Sequence, residues 1–385
     1  MTAPHPLKLL VLCAGNPEAE RTFSGSARSL IQALERRGCV TRKANVLGMT
    51  DPFSRGNFPM RVLRKLDRFS LERSYRYSSF GLGRNTRRAE AIAKDTPDYN
   101  ACLMYGTTFH PKLGLPTYCY FDATAAQVAK AGGWSFGQRT PAQNQAVVDY
   151  QQRVFDDCTA IFPRTQYAAS SVHEDYGIEL EKITVPGAGF NHNAAALPHG
   201  SYDNKNILFI GADFERKGGY LILDAFKIVR QSMPDATLTI IGPNPDIQEP
   251  GVNVVGRIYK DKDDGLNRIM EYYSQASVFC IMSELEPFGI VIIEAQHSYV
   301  PCIVPAKFAF TETVQDGITG RHITDETPET LSSVMLELLS DPSKLEAMGK
   351  AAHEFVQNEW TWDNAAERIE CRILSDLKNS GEISS

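Results

Sequence analysis

Residues 283–295 read "SELEPFGIVIIEA", with two carboxylates, Glu286 and Glu294, eight positions apart. Eight steps along a helix turn about 800°, roughly 80° from a full repeat, so the two acids do not share one helix face. Pro287 pushes Glu286 towards extended conformations, and Gly289 breaks the chain again just beyond it. Glu286 therefore reads as part of the turn after an apolar strand at 277–282, and Glu294 belongs to whatever element follows. Periodicity alone assigns "GIVII" (289–293) to a strand, and propensity does not decide between strand and helix.

Outward from this stretch, apolar runs alternate with helical patterns in both directions. "LKLLVLCAG" (7–15) is a buried strand stopping at Gly15, and "RSLIQALERRG" (28–38) is a helix closed by Gly38. "ACLMYG" (101–106) and "PTYCYF" (116–121) read as strands, and "YQQRVFDDCTAIFPRT" (150–165) as a helix leading into a strand. A stretch rich in Gly, Asn, Pro and Ser at 187–206 makes a linker. Beyond it, "NILFIGA" (206–212), "ATLTIIG" (236–242), "VNVVG" (252–256), "SVFCIM" (277–282) and "PCIVP" (301–305) are strands, and "GYLILDAFKIVRQSM" (219–233) is a helix. "NEWTWDNAAERIECRILSDLK" (358–378) is one long helical pattern headed by Trp360 and Trp362.

Such alternation implies an α/β protein of βαβ units with parallel sheets. A chain of 385 residues exceeds what one core organises. Two doubly wound, Rossmann-like halves joined near residue 200 are expected, with ligands bound at the carboxyl ends of their strands.

Composition narrows the class. Hydrophobic residues make up 43% and charged residues 22% of the chain, ordinary values for a globular protein. No apolar run reaches the roughly 18 residues of a transmembrane helix, and "MTAPHPLKLLVLCAG" reads as a first strand, not a signal peptide. Eight cysteines are scattered without C-x-x-C spacing, which suits reduced, buried thiols in a cytoplasmic protein and gives no zinc site or disulfide framework. The net charge of −6 is uneven: Arg55–Arg88 holds ten Lys/Arg against two acids, +8, leaving −14 elsewhere. That segment reads either as a solvated basic surface or as peripheral contact with an anionic membrane face or an anionic acceptor. No nucleic-acid-binding module accompanies it, so nucleic acid is not an expected partner.

The full pattern "SELEPFGIVIIEA" resembles the E-x7-E signature of retaining glycosyltransferases of the GT-B fold, family 4 (glycosyl transferases group 1), through E-P-F-G at 286–289 and E-A at 294–295. In that family the stretch is a loop followed by a helix. "LFIGADFERKGG" (208–219) resembles the strand–loop–helix whose G-x5-K-G supplies diphosphate contacts, with Ala212 where the family usually has Arg. "VPAKFAFTETVQDGITG" (304–320) and "FSGSARSL" (23–30) resemble further family segments. The resemblance is weakest between residues 40 and 100. It implies two Rossmann-like domains facing across a cleft. These are an acceptor-binding domain at 1–195, a donor-binding domain at 196–360, and a C-terminal helix at 361–385 crossing back to the first.

The resemblance also implies the site. Lys217, helped by Arg216, lies on the diphosphate of a UDP- or GDP-sugar, and Gly211 opens that loop. Glu286 contacts the transferred sugar, aided by the backbone of Phe288, Gly289 and Ile290. Glu294 holds the ribose, Ile258 lies by the base, and Gly25 and Ser26 form a glycine loop. Breaking a sugar–diphosphate bond leaves oxocarbenium character and a charged leaving group, which cations and oriented amides stabilise. No D-x-D metal site stands where the family would place one, and no metal or further cofactor is expected. Asp122 in "LPTYCYFDATAAQ" occupies the place of a family histidine, where it serves a sugar hydroxyl or the acceptor; helix capping is the competing reading, and His110 the competing residue. The expected activity is retaining, metal-independent transfer of a hexose-type sugar to a hydroxyl of a glycan, lipid or small molecule. A non-catalytic sugar-nucleotide-binding regulatory subunit and a GT-B sugar-nucleotide epimerase are the alternatives.

Overall fold

The computed structural model describes residues 5–20, 22–47, 74–132, 139–191, 195–242 and 246–383. It divides into two compact units, Met1–Ala188 with Trp362–Ser385, and Gly189–Thr361.

The first unit is built on a parallel sheet of β1 (Leu9–Cys13), β2 (Val40–Asn45), β3 (Ala101–Tyr105), β4 (Thr117–Phe121) and β5 (Ala160–Pro163), in the order β2-β1-β3-β4-β5. The runs β1, β3, β4 and β5 are buried along their whole length, as strands covered on both faces must be. Helices Ser26–Arg36, Ser79–Lys94, Ala125–Lys130, Pro141–Asp157 and Gln166–Tyr176 lie between and around them. The longest of these, Pro141–Asp157, opens on a capping box of Thr140 and Gln143 with proline in its first turn.

The second unit holds β6 (Asn206–Ile210), β7 (Thr237–Ile241), β8 (Val252–Gly256), β9 (Val278–Cys280), β10 (Cys302–Pro305) and β11 (Gly320–Ile323). They are parallel, in the order β11-β10-β9-β6-β7-β8. The sheet winds outwards in opposite directions from the neighbours β6 and β9, which makes the gap beyond their carboxyl ends the topological switch point where such sheets bind ligands.

The two sheets and their covering helices are the doubly wound α/β architecture that the sequence implies. Two strands went unread: β2, "VTRKAN", is a half-exposed edge without an apolar run, and β11, "GRHI", is too short to give a pattern. Of the two readings open for "GIVII", the loop followed by a helix is the one found, since Ile290–His297 is a helix. Its residues 292–297 are all buried, so no amphipathic period shows, and Gly289 at φ +81° turns the chain into it.

The helical pattern at 358–378 also breaks. Helix Pro342–Glu359 ends at Trp360, and a separate helix Trp362–Asn379 follows. Trp360 packs on Phe288 within the second unit, ring centroids 5.4 Å apart. The terminal helix returns to the first unit, where it packs on Ser26–Arg36. Its buried Glu370 accepts hydrogen bonds from His5 Nε2 at 2.7 Å and from Arg37 Nε.

Candidate active site

In the second unit, the loop after β6 and the loop after β9 are laced together by backbone hydrogen bonds. Met282 N–H donates to the Lys217 carbonyl and Glu284 N–H to the Arg216 carbonyl, both at 3.1 Å. Close approach is possible because Gly218 adopts φ +74°, where a Cβ would stand 2.2 Å from the Met282 oxygen. The lacing brings Lys217 and Glu286 side by side at the switch point, where the Lys217 ammonium donates to Glu286 Oε2. Both side chains are nearly covered, at 13% and 12% exposure. Arg216 reaches the same loop, its Nη1 donating to the Leu285 carbonyl at 3.3 Å, while Asp213 accepts from its backbone N–H at 3.2 Å.

Gly211 closes β6 by donating to the Ile241 carbonyl at 3.0 Å. Phe288 is buried, and Gly289 caps helix Ile290–His297, whose first residue is Ile290. Glu294 lies in the second turn of that helix and is 1% exposed. Its Oε1 accepts from the Lys260 ammonium, and its Oε2 from Tyr273 Oη at 3.4 Å. Burial, then the Glu294 carboxylate, push the Tyr273 phenol well above its usual range, so it remains a donor. Ile258 lies in the loop after β8, partly buried against the core.

In the first unit, Asp122 follows β4 and lies half-exposed. The capping alternative is corrected: Thr124 caps helix Ala125–Lys130 with Gln127 as its reciprocal partner, and Asp122 accepts only from the adjacent Ala123 N–H at 3.0 Å among the hydrogen bonds described for it. What faces Asp122 is Arg164 Nη1, at 3.8 Å. Arg164 is buried, its guanidinium lying 5.7 and 5.3 Å from the ring centroids of Tyr105 and Tyr120, and it donates to Tyr105 Oη. Burial opposes its charge, yet Tyr105, Tyr120 and Asp122 outweigh that and raise its pKa. His110 stands apart from this cluster, its Nε2 2.7 Å from Asp157 and its ring edge-on to Tyr150. Gly25 and Ser26 open helix Ser26–Arg36, with Ser26 Oγ donating to the Phe23 carbonyl at 2.8 Å.

Sequence reasoning missed Lys260, Tyr273 and Arg164. Lys260 hides in the charged run "YKDKDDG", which reads as a solvated loop; Arg164, directly after the buried "AIFP", carried the only available signal, a cation at the end of a core strand. Among the described residues no three His, Cys, Asp or Glu side chains gather as metal ligands, and no helix is long and apolar enough to cross a membrane.

Comparison with known proteins bears on the fold and the family. Residues 198–355 match the family "Glycosyl transferases group 1". A GDP-mannose-dependent monoacylated alpha-(1-6)-phosphatidylinositol monomannoside mannosyltransferase of Corynebacterium glutamicum is 27% identical over 215 residues, 51% of this chain and 54% of that protein. The chain spans about half the length of the curated relatives it matches. Sucrose-phosphate synthase from Thermosynechococcus elongatus superposes with a TM-score of 0.69 at 16% identity, covering 97% of this chain and all of that one (100%). Anabaena Alr3699/HepE, solved with UDP and glucose, gives 0.62 at 14% identity, covering 96% and 100%. The chain thus has the two-domain α/β GT-B fold, and residues 198–355 within its second unit match glycosyl transferases group 1.

Proposed function

We propose that the chain is a retaining, metal-independent glycosyltransferase that moves a hexose-type sugar from a nucleoside-diphosphate sugar to an acceptor hydroxyl. The observation that carries this is the pairing of Lys217 with Glu286 at the switch point of the second sheet, with Glu294 on the helix that follows. Lys217 and Arg216 provide the positive charge that a departing diphosphate needs. Glu286, with the backbone of Phe288, Gly289 and Ile290, faces the transferred sugar; Glu294 takes the ribose, and the loop at Ile258 the base. The relatives named above as GDP-mannose-dependent, and the neighbour solved with UDP, support a GDP- or UDP-linked donor.

In this reading residues 196–360 bind donor, residues 1–195 bind acceptor, and 361–385 is the returning helix. Asp122, held beside Arg164, serves a hydroxyl of donor sugar or acceptor, and the glycine loop at Gly25 and Ser26 lies at the start of the first helix. Retention follows if the departing phosphate takes the acceptor's proton on the face it leaves. The basic segment 55–88 supports peripheral contact with an anionic membrane from the cytoplasmic side. Its residues 55–73 lie outside the described residues, whereas Arg84, Arg87 and Arg88 lie on helix Ser79–Lys94.

The test is release of nucleoside diphosphate from UDP- and GDP-hexoses, followed by NMR assignment of the product anomer. Turnover with a retained anomer, undiminished by chelator, supports the proposal. An inverted product or an absolute metal requirement contradicts it.

A further inference from the structure

A carboxylate that is 1% exposed cannot meet ribose hydroxyls as it stands, and Glu294 is such a group. The ammonium of Lys260 occupies its Oε1, reaching in from the loop between β8 and helix Gly265–Ser274. Among the described residues the other oxygen accepts a long bond from Tyr273 Oη, at 3.4 Å. We propose that Lys260 is an internal occupant of the ribose position. It neutralises Glu294 while the site is empty and withdraws when the vicinal hydroxyls of a nucleotide replace it. The inference rests on the donor-site reading above.

The local chemistry fits such an exchange. A buried carboxylate must keep a partner, and a ribose diol supplies two O–H donors in place of one N–H. Lys260 is 23% exposed and sits on a flexible four-carbon stem, so its charge can rotate to solvent or to the bound phosphates. The loop backbone, by contrast, is tied to itself, Lys262 N–H donating to the Tyr259 carbonyl at 3.2 Å and Gly265 N–H to the Lys262 carbonyl at 2.7 Å. Asp263 and Asp264 adopt φ of 48° and 61°, and a Cβ on Gly265 would stand 2.0 Å from the Tyr259 carbonyl oxygen. A rotation of the lysine side chain is enough to uncover the carboxylate.

Two consequences follow. Apparent affinity is reduced by the fraction of molecules in which Lys260 still covers Glu294. A ligand without the diol cannot compensate the carboxylate, so the lysine sharpens selection for ribonucleotides.

Calorimetric titration of wild type, Lys260→Met and Lys260→Gln with UDP, GDP, ADP and their 2′-deoxy forms tests this. For whichever ribonucleotide binds, Lys260→Met should tighten binding about tenfold, with a smaller gain for the deoxynucleotide and a lower Tm without ligand. Lys260→Gln, which keeps an uncharged donor to Glu294, should show a smaller gain and supplies the comparison if the methionine variant fails to fold. Unchanged or weaker binding in the variants, or an equal gain for the deoxynucleotide, overturns the exchange while leaving the donor site standing. No nucleotide binding by any of the three proteins overturns the donor-site reading and the exchange together.

Discussion

Lys217 and Glu286 lie 69 residues apart in sequence and meet as an ion pair because the backbones beside them are hydrogen-bonded. Their functions should then be coupled. Lys217→Ala and Glu286→Ala are each expected to lower sugar transfer about 10²–10³-fold, the range of a lost charge-stabilising group. Groups acting as a unit are not additive, so the double variant should lose little more than the worse single one. Steady-state kinetics of the three variants checks this.

Gly218 permits the lacing that makes this pair. Gly218→Ala would force a Cβ into the Met282 carbonyl at φ +74°, and should cost more than about 2 kcal/mol by urea unfolding. Gly38 is the control, because it has a similar φ of +78° but nothing within 4 Å of a Cβ. Gly38→Ala should cost only about 1 kcal/mol, the left-handed strain alone.

Asp122 and Arg164 make a second coupled pair. Asp122→Asn should lower kcat about 10–100-fold with little change in the donor KM. Arg164 is buried and faces Asp122; if it acts through that carboxylate, Arg164→Met should reproduce that split in kcat and KM, and the double variant should add little. A purely structural role for Arg164 would lower Tm and leave kcat of the folded fraction intact.

His199 gives a pH dependence with a definite sign. Its Nε2 donates to the Ala276 carbonyl at 2.9 Å and its ring stacks 3.9 Å from Tyr202. Burial holds its pKa below the ordinary 6.5, outweighing the hydrogen bonds to Ala276 and Gly200 that act the other way. The unfolded chain therefore takes up this proton more readily than the folded one. The contribution of His199 is complete above the unfolded pKa and is lost as pH falls through the folded value. Tm measured from pH 7.5 downwards should decline more steeply in wild type than in His199→Phe, which keeps the stacked ring and removes the titration.

Most of the fold could be read from apolar run length, because its central strands are largely buried and several stop at glycine or proline. β2 and β11 were illegible for the opposite reason, one being polar and exposed and the other four residues long. Helix Ile290–His297 resisted periodicity because burial on all sides erases it, and only the motif around Glu286 and Glu294 pointed to a helix. The pairing of Lys217 with Glu286 follows from a strand order that no local pattern encodes. Lys260 and Arg164 pair with carboxylates 34 and 42 residues away. Their importance emerges only when the chain folds.

The most direct test of the donor site is thermal shift of the whole chain with UDP, GDP and ADP, repeated on Lys217→Ala and Glu294→Ala. A ligand bound only by the folded state raises Tm with the logarithm of its excess over Kd. A rise in Tm with one nucleotide, abolished in both variants, is the predicted result. The same rise in wild type and variants, or none with any nucleotide, would contradict a donor site built on Lys217, Glu286 and Glu294.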